Sequence, residues 1–184
     1  MSRRDSLPVA DALFSICSGR FYVVYCYHRG EEGGIVEIRR YRSSDVEEVV
    51  RLFRDTVHTV NVADHTAEQL DAWAPSDIDI GEWDRSLSSH FSVVATENGK
   101  LLGFGDIDES GYLDRLYVAS AHIGTGVGTV ICDALEAAVK GKIVTHASVT
   151  ARPFFEKRGY TVVRAQQVER VGVLLTNFVM EKVR

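Results

Sequence analysis

Cysteine, clustered basic charge and long apolar runs are what this chain of 184 residues has least of. Its three cysteines, Cys17, Cys26 and Cys132, are an odd set without CxxC or Cys/His metal spacing. That excludes a disulfide scaffold or zinc ribbon, implies no bound metal, and fits reduced, cytoplasmic thiols. Lys and Arg number 21 against 26 Asp and Glu, a formal charge of −5 with no basic stripe, so nucleic acid is not the expected partner. Phosphate neutralisation would need clustered cations. No apolar run approaches the roughly 18 residues of a membrane span, and no repeat or low-complexity tract is present. The Ser-Arg-Arg start faintly echoes a twin-arginine signal, but Asp11, Ser15, Ser18 and Arg20 break any apolar region behind it. With 45% hydrophobic residues, the chain reads as one globular domain large enough to bury a core without staples.

Residues 1 to 34 differ from the rest. They mix Ser, Gly, Arg and aromatics without a sustained period and end in a Gly33-Gly34 linker, so they read as an N-terminal extension, partly disordered. Within them, 21 to 27 have the composition of a strand or an aromatic patch. From Ile35 the pattern is regular. Residues 35 to 41 alternate as a half-buried strand, and Val46, Val49, Val50, Leu52 and Phe53 fall at helical spacing in a first helix over about 45 to 58. A second helix over 65 to 74 has Thr66 as cap and ends at Pro75. An acidic connection follows. Strands at 91 to 96, 101 to 107 and 112 to 118, joined by turns, then form an antiparallel meander. A helix over about 126 to 140, a strand at 142 to 148, a short helix at 151 to 158 and strands at 160 to 168 and 173 to 182 complete the chain.

The strongest chemical signal is His122-Ile123-Gly124-Thr125-Gly126-Val127-Gly128-Thr129, between a strand and an amphipathic helix. Glycines let backbone approach a ligand, and the first amides of a helix, unpaired and at the positive end of its dipole, favour phosphate or pyrophosphate. Walker A would need Lys-Ser/Thr after the last glycine, and a dinucleotide fingerprint would need glycine where Thr129 stands.

Together with the order of elements and the later segment Ser148-Val149-Thr150-Ala151-Arg152-Pro153-Phe154-Phe155-Glu156-Lys157-Arg158-Gly159-Tyr160, this loop resembles the GNAT superfamily of acyl-CoA-dependent N-acetyltransferases. The resemblance runs from Ile35 to the C-terminus. It implies an α/β fold with a mixed, largely antiparallel sheet of about six to seven strands flanked by about four helices. Acetyl-CoA is the implied cofactor, with its pyrophosphate on the amides of Ile123, Gly124, Thr125, Gly126, Val127, Gly128 and Thr129. Backbone at Leu116, Tyr117 and Val118 would meet the pantetheine arm and acyl carbonyl, and Phe155 and Lys157 belong to the same cofactor signature. Three positions depart from the family: Ile123 replaces a Gln or Arg, Ser148 an Asn, and Phe155 a Tyr that protonates the leaving thiolate in many members. A phenyl ring cannot donate that proton, so another group or water must.

The implied reaction is direct attack of an unprotonated primary amine on the thioester in a ternary complex, which needs a carboxylate to take the ammonium proton. Asp114 is the candidate base among Asp106, Asp108 and Asp114; Tyr117 and Ser148 complete the candidate catalytic set. Residues 64 to 84 carry Asp64, Glu68, Asp71, Asp77, Asp79, Glu82 and Asp84 with no Lys or Arg, an acidic rim suited to a cationic small-molecule or peptide acceptor. His58, Trp73 and Trp83 are the candidate acceptor contacts. Pairing of two copies is also implied. The competing reading is a catalytically weak acyl-CoA-binding sensor, motivated by Ile123 and Phe155; a phosphate-binding regulatory domain is a third.

Overall fold

The computed structural model describes residues 11–17, 20–28 and 35–183. From position 35 the seven anticipated strands are all present: β3 (Ile35–Arg40), β4 (Phe91–Glu97), β5 (Lys100–Ile107), β6 (Tyr112–Val118), β7 (Lys142–Ser148), β8 (Thr161–Arg170) and β9 (Val173–Val183). Two more, β1 (Asp11–Cys17) and β2 (Arg20–His28), extend the sheet, whose order is β1-β2-β3-β4-β5-β6-β7-β9-β8. Residues 21 to 27 thus lie within a strand. Every neighbouring pair is antiparallel except β6 with β7.

Helices α1 (Val46–Val60), α2 (Ala67–Trp73) and α3 (Ile80–Ser89) cover one face; α4 (Val127–Ala138) and α5 (Arg152–Lys157) cover the other. The middle strands are apolar on both sides because both faces are covered. On β4, Val93 and Ala95 pack in the cluster containing α4, whereas Val94 packs with Val49, Phe53 and Val57 of α1. The expected cap of α2 is present: the Gln69 amide donates to Thr66 Oγ1 at 3.3 Å, and the Thr66 amide donates back to Gln69 Oε1 at 3.0 Å.

The acidic stretch read as a connection contains a third helix instead. Asp79 Oδ1 accepts from the Glu82 amide at 2.9 Å, and Trp83 and Leu87, four apart, turn one face inward. The run of carboxylates hid a cap followed by an i, i+4 apolar pair.

Helix α4 sits close against β5 because Gly103 and Gly105 have no side chains. A Cβ on Gly105 would lie 2.8 Å from the Arg115 carbonyl and 2.9 Å from Leu135 Cδ1. On the far side of α4, Glu136 receives Lys182 Nζ at 2.7 Å, Tyr160 Oη at 3.2 Å and Cys132 Sγ at 3.4 Å, with Arg158 Nη2 at 3.1 Å. This ties the helix to β9 and to the chain leaving α5. Burial pushes the Cys132 thiol up to about 12. Gly105→Ala should destabilise the fold by about 1–3 kcal/mol through overpacking, read as a lower urea midpoint at unchanged slope.

Candidate active site

Strands β6 and β7 pair only at Tyr112 with Val144 and Leu113 with Thr145. Thr145 Oγ1 donates to the Leu113 carbonyl at 2.9 Å, and beyond it β7 stays paired with β9 as far as Ser148. Strand β6 continues along β5 alone. The β5–β6 ladder steps from Ile107 opposite Leu113 to Asp106 opposite Arg115, leaving Asp114 as the extra residue of a bulge. A bulge bends its strand and re-aims a side chain.

Beyond β6, a short turn at Ser120–His122 leads into the glycine loop. Gly124 and Gly126 adopt φ +76° and +92°, the left-handed region that favours glycine, and Gly126 is the N-cap of α4. Among the described residues, no backbone carbonyl or side chain accepts from the amides of Gly124, Gly126, Val127, Gly128 or Thr129. A Cβ at Gly124 would meet nothing within 4 Å. Unpaired amides, missing Cβ atoms and the N-terminal dipole of a twelve-residue helix fit a pyrophosphate group.

On the α1–α3 side of the sheet lies a cleft of about 580 Å³ whose walls include Phe53, Trp73, Trp83, Tyr117, Asp114 and Arg115. Asp77, Asp79 and Glu82 add negative charge, while Arg170 and Val171 reach it from the β8–β9 turn. The aromatics support one another: Phe53 and Tyr117 meet edge to face at 4.8 Å, and Phe53 and Trp83 lie 4.8 Å apart. Burial raises the Tyr117 hydroxyl well above its ordinary range, so it stays protonated. Arg115 is held on several sides. Its guanidinium lies 4.9 Å from the Trp83 ring centre, Nη2 donates to Ser86 Oγ at 2.8 Å and stands 3.1 Å from Asp114 Oδ2, and Nη1 is 3.4 Å from Asp106 Oδ2. Asp106 is fully buried, and His90 Nδ1 lies 2.7 Å from the same Oδ2.

Residues 61–182 match the family described as an acetyltransferase (GNAT) domain. The chain belongs to the GNAT superfamily of N-acetyltransferases. YafP, an uncharacterized N-acetyltransferase of Escherichia coli (strain K12), is 31% identical over 145 residues, covering 79% of this chain and 94% of that protein. A GCN5-related N-acetyltransferase from Rhodopseudomonas palustris has 30% identity and a TM-score of 0.77, over 80% of this chain and 94% of that one. At 15% identity the PaiA N-acetyltransferase of Thermoplasma acidophilum, solved with coenzyme A, shares the fold, with a TM-score of 0.64 over 81% and 99%.

Within this GNAT domain, Asp114, Tyr117, Trp73 and Trp83 come together on one cleft, and residues 123 to 129 run from the glycine loop straight into the first turn of α4. Ile123 is exposed; Thr125 Oγ1 donates to the His122 carbonyl at 2.7 Å and closes the turn. Leu116 packs against the main core, and the Val118 carbonyl accepts from Thr56 Oγ1 at 3.1 Å. Lys157 is exposed in the last turn of α5.

Three expected contacts sit elsewhere. His58 does not line the cleft: Nδ1 lies 2.9 Å from the Arg54 carbonyl and Nε2 3.1 Å from Asp71 Oδ1, so both ring nitrogens are engaged. Ser148 Oγ accepts from the Ala151 amide at 3.1 Å and shapes the entry to α5, away from the acceptor cleft. Phe155 is buried in the core, with Phe154 and Tyr160 against it edge to face. Its neighbour Phe154 faces the loop, with ring carbons 3.7 and 3.8 Å from where a Gly128 Cβ would sit. His146 is exposed, with Nδ1 3.3 Å from the Tyr112 hydroxyl.

Burial pushes the Asp106 carboxyl up to about 6 from 3.8, against the opposing pull of Arg115 and His90. A folded value above the unfolded one means that the native chain holds a proton the unfolded chain has released, so stability falls as pH rises across this window and is flat above it. Asp106→Asn removes that slope. Between pH 4 and 7 the stability difference should move in the variant's favour by up to about 3 kcal/mol, measured by urea unfolding at a series of pH values.

Proposed function

We propose that this chain, an N-acetyltransferase, moves the acetyl group of acetyl-CoA to the primary amine of a compact small-molecule or peptide acceptor, by direct attack in a ternary complex in the cytoplasm. Residues 35–184 are the catalytic domain and 1–34 an N-terminal extension. The observation that carries this reading is the parting of β6 from β7, which lies between an amide-lined loop and a cleft holding Asp114. Acetyl-CoA supplies an acyl carbonyl activated toward amines and a leaving thiol of pKa about 8.5.

The chain supplies the rest. Amides of residues 124 to 129 would hold the pyrophosphate, with the Phe154 ring as an apolar neighbour. Backbone along Leu116, Tyr117 and Val118, free of β7, would orient the acyl arm. Asp77, Asp79 and Glu82 draw an ammonium toward the cleft, Trp73 and Trp83 seat its apolar body, and Asp114 takes its proton. The Tyr117 hydroxyl, kept protonated, is the donor in the cleft that the buried Phe155 cannot be. The partner is an amine, with no nucleic acid. No described helix is long and apolar enough to cross a membrane. Strand β8, at the end of the sheet with Val162 and Val163 exposed, is the surface through which two copies would pair.

Acetyl-CoA at about 100 times its Kd should raise the melting temperature by roughly 5–10 °C at physiological salt, from a linkage of about 2.7 kcal/mol. Gly126→Val, which forces a β-branched residue into the left-handed region, should abolish most of that shift. In the same samples, Asp114→Asn should keep the shift while amine-dependent thiol release falls by about 10²–10⁴. A shift in the native chain without release from any amine would instead mark a module that binds acyl-CoA without turning it over.

A further inference from the structure

Asp106 lies on β5 opposite Arg115 and lines no part of the acceptor cleft. A fully buried carboxylate is costly unless paired, and this one is paired with residues from two other elements. His90, between α3 and β4, approaches one carboxylate oxygen at 2.7 Å; Arg115 of β6 approaches the same oxygen at 3.4 Å. The other oxygen, Oδ1, is buried without a hydrogen-bond partner among the described residues. Tyr112, Asp114 and Tyr117 are the other titratable groups of β6 nearby, Asp108 faces His90 from the β5–β6 turn, Tyr41 faces Arg115, and Arg170 faces the cleft from the β8–β9 turn. One atom from each of His90, Asp106 and Asp114 falls within 4.8 Å of the others, and the positive charge among them is the Arg115 guanidinium.

One guanidinium therefore serves two carboxylates, one buried and one in the cleft. We propose that Asp106 is a positioning residue for acetyl transfer: it holds part of the charge of Arg115 away from Asp114, so that Asp114 remains able to accept the proton of the attacking amine. His90, partly exposed, lies between Asp106 and solvent. When Asp106 is neutral, Arg115 faces Asp114 alone. A carboxylate in that closed pair is a weaker proton acceptor, because the guanidinium stabilises its charged form. Burial brings Asp106 into the range where this coupling responds to mildly acidic pH.

The inference rests on Asp114 as the proton acceptor, and its test separates the two. Asp106→Asn should lower kcat for thiol release about tenfold, leave the acetyl-CoA thermal shift intact, and move the acid limb of the kcat/KM profile to lower pH. A fall in rate with an unmoved acid limb would mean a merely structural role and would overturn it. A second readout needs no turnover. The chain has two tryptophans, so Trp73→Phe leaves Trp83, on which Arg115 stacks, as the only fluorophore of its kind. Its emission should follow one transition near pH 6, and Asp106→Asn should remove it; persistence would refute the coupling. Should Asp106→Asn fail to fold, His90→Leu, which removes the ring nitrogen whose 2.7 Å contact holds the Asp106 carboxyl down, should displace the transition to higher pH, and an unchanged midpoint would count against the proposal. If no amine supports thiol release in the native chain, the proposed reaction fails, while the fluorescence arm still decides whether Asp106 governs Arg115.

Discussion

Two residue pairs join β6 to β7, and the working half of the molecule depends on the pairing stopping there. A sheet that continued would satisfy the backbone of β6 with that of β7 and leave no opening between loop and cleft. Two local features end it. The Thr145 hydroxyl occupies the Leu113 carbonyl, and the Asp114 bulge turns β6 away while β7 remains committed to β9. The bulge also gives Asp114 and Arg115 a shared side. Adjacent residues of a regular strand point to opposite faces, so the 3.1 Å contact between them depends on this irregularity.

The two halves of the site are fixed by packing on opposite faces of the sheet. The glycine loop is placed by α4, which can approach β5 only because Gly103 and Gly105 leave room. The cleft is placed by α1 and α3, whose Phe53 and Trp83 rings meet Tyr117 and Arg115 rising from β6. Strand β6 belongs to both cores, with Leu113 and Val118 on the α4 side and Tyr117 on the other. A displacement of either helix layer would therefore reach the site through the same seven residues.

Much of this was legible in the chain. The strands from 35 onward and the glycine loop follow from periodicity and punctuation, signals local in sequence. The grouping of Asp114, Tyr117, Trp73 and Trp83 was anticipated only through family likeness, because spacing alone does not tell which elements will face one another. Helix α3 was obscured because Asp77 and Asp79 before it, and Glu82 and Asp84 within it, outnumber its two inward side chains. The inward turn of Phe155 and the approach of Phe154 to the loop could not be read, because two aromatics in sequence look alike until a short helix decides which one turns inward. The link from His90 to Asp106 and Arg115 could not be seen at all. It is created by strand register across 16 residues, with no local pattern to announce it.

Cys132 sits in the second turn of the helix whose N-terminus follows the glycine loop. Thiolates in general exchange readily into thioesters, so an ionised cysteine is an unwelcome group in a protein that handles them. Complete burial and a hydrogen bond to Glu136 keep this sulfur as a neutral thiol at physiological pH. The core contact that secures α4 to β9 thus also keeps a potential nucleophile chemically silent inside the fold.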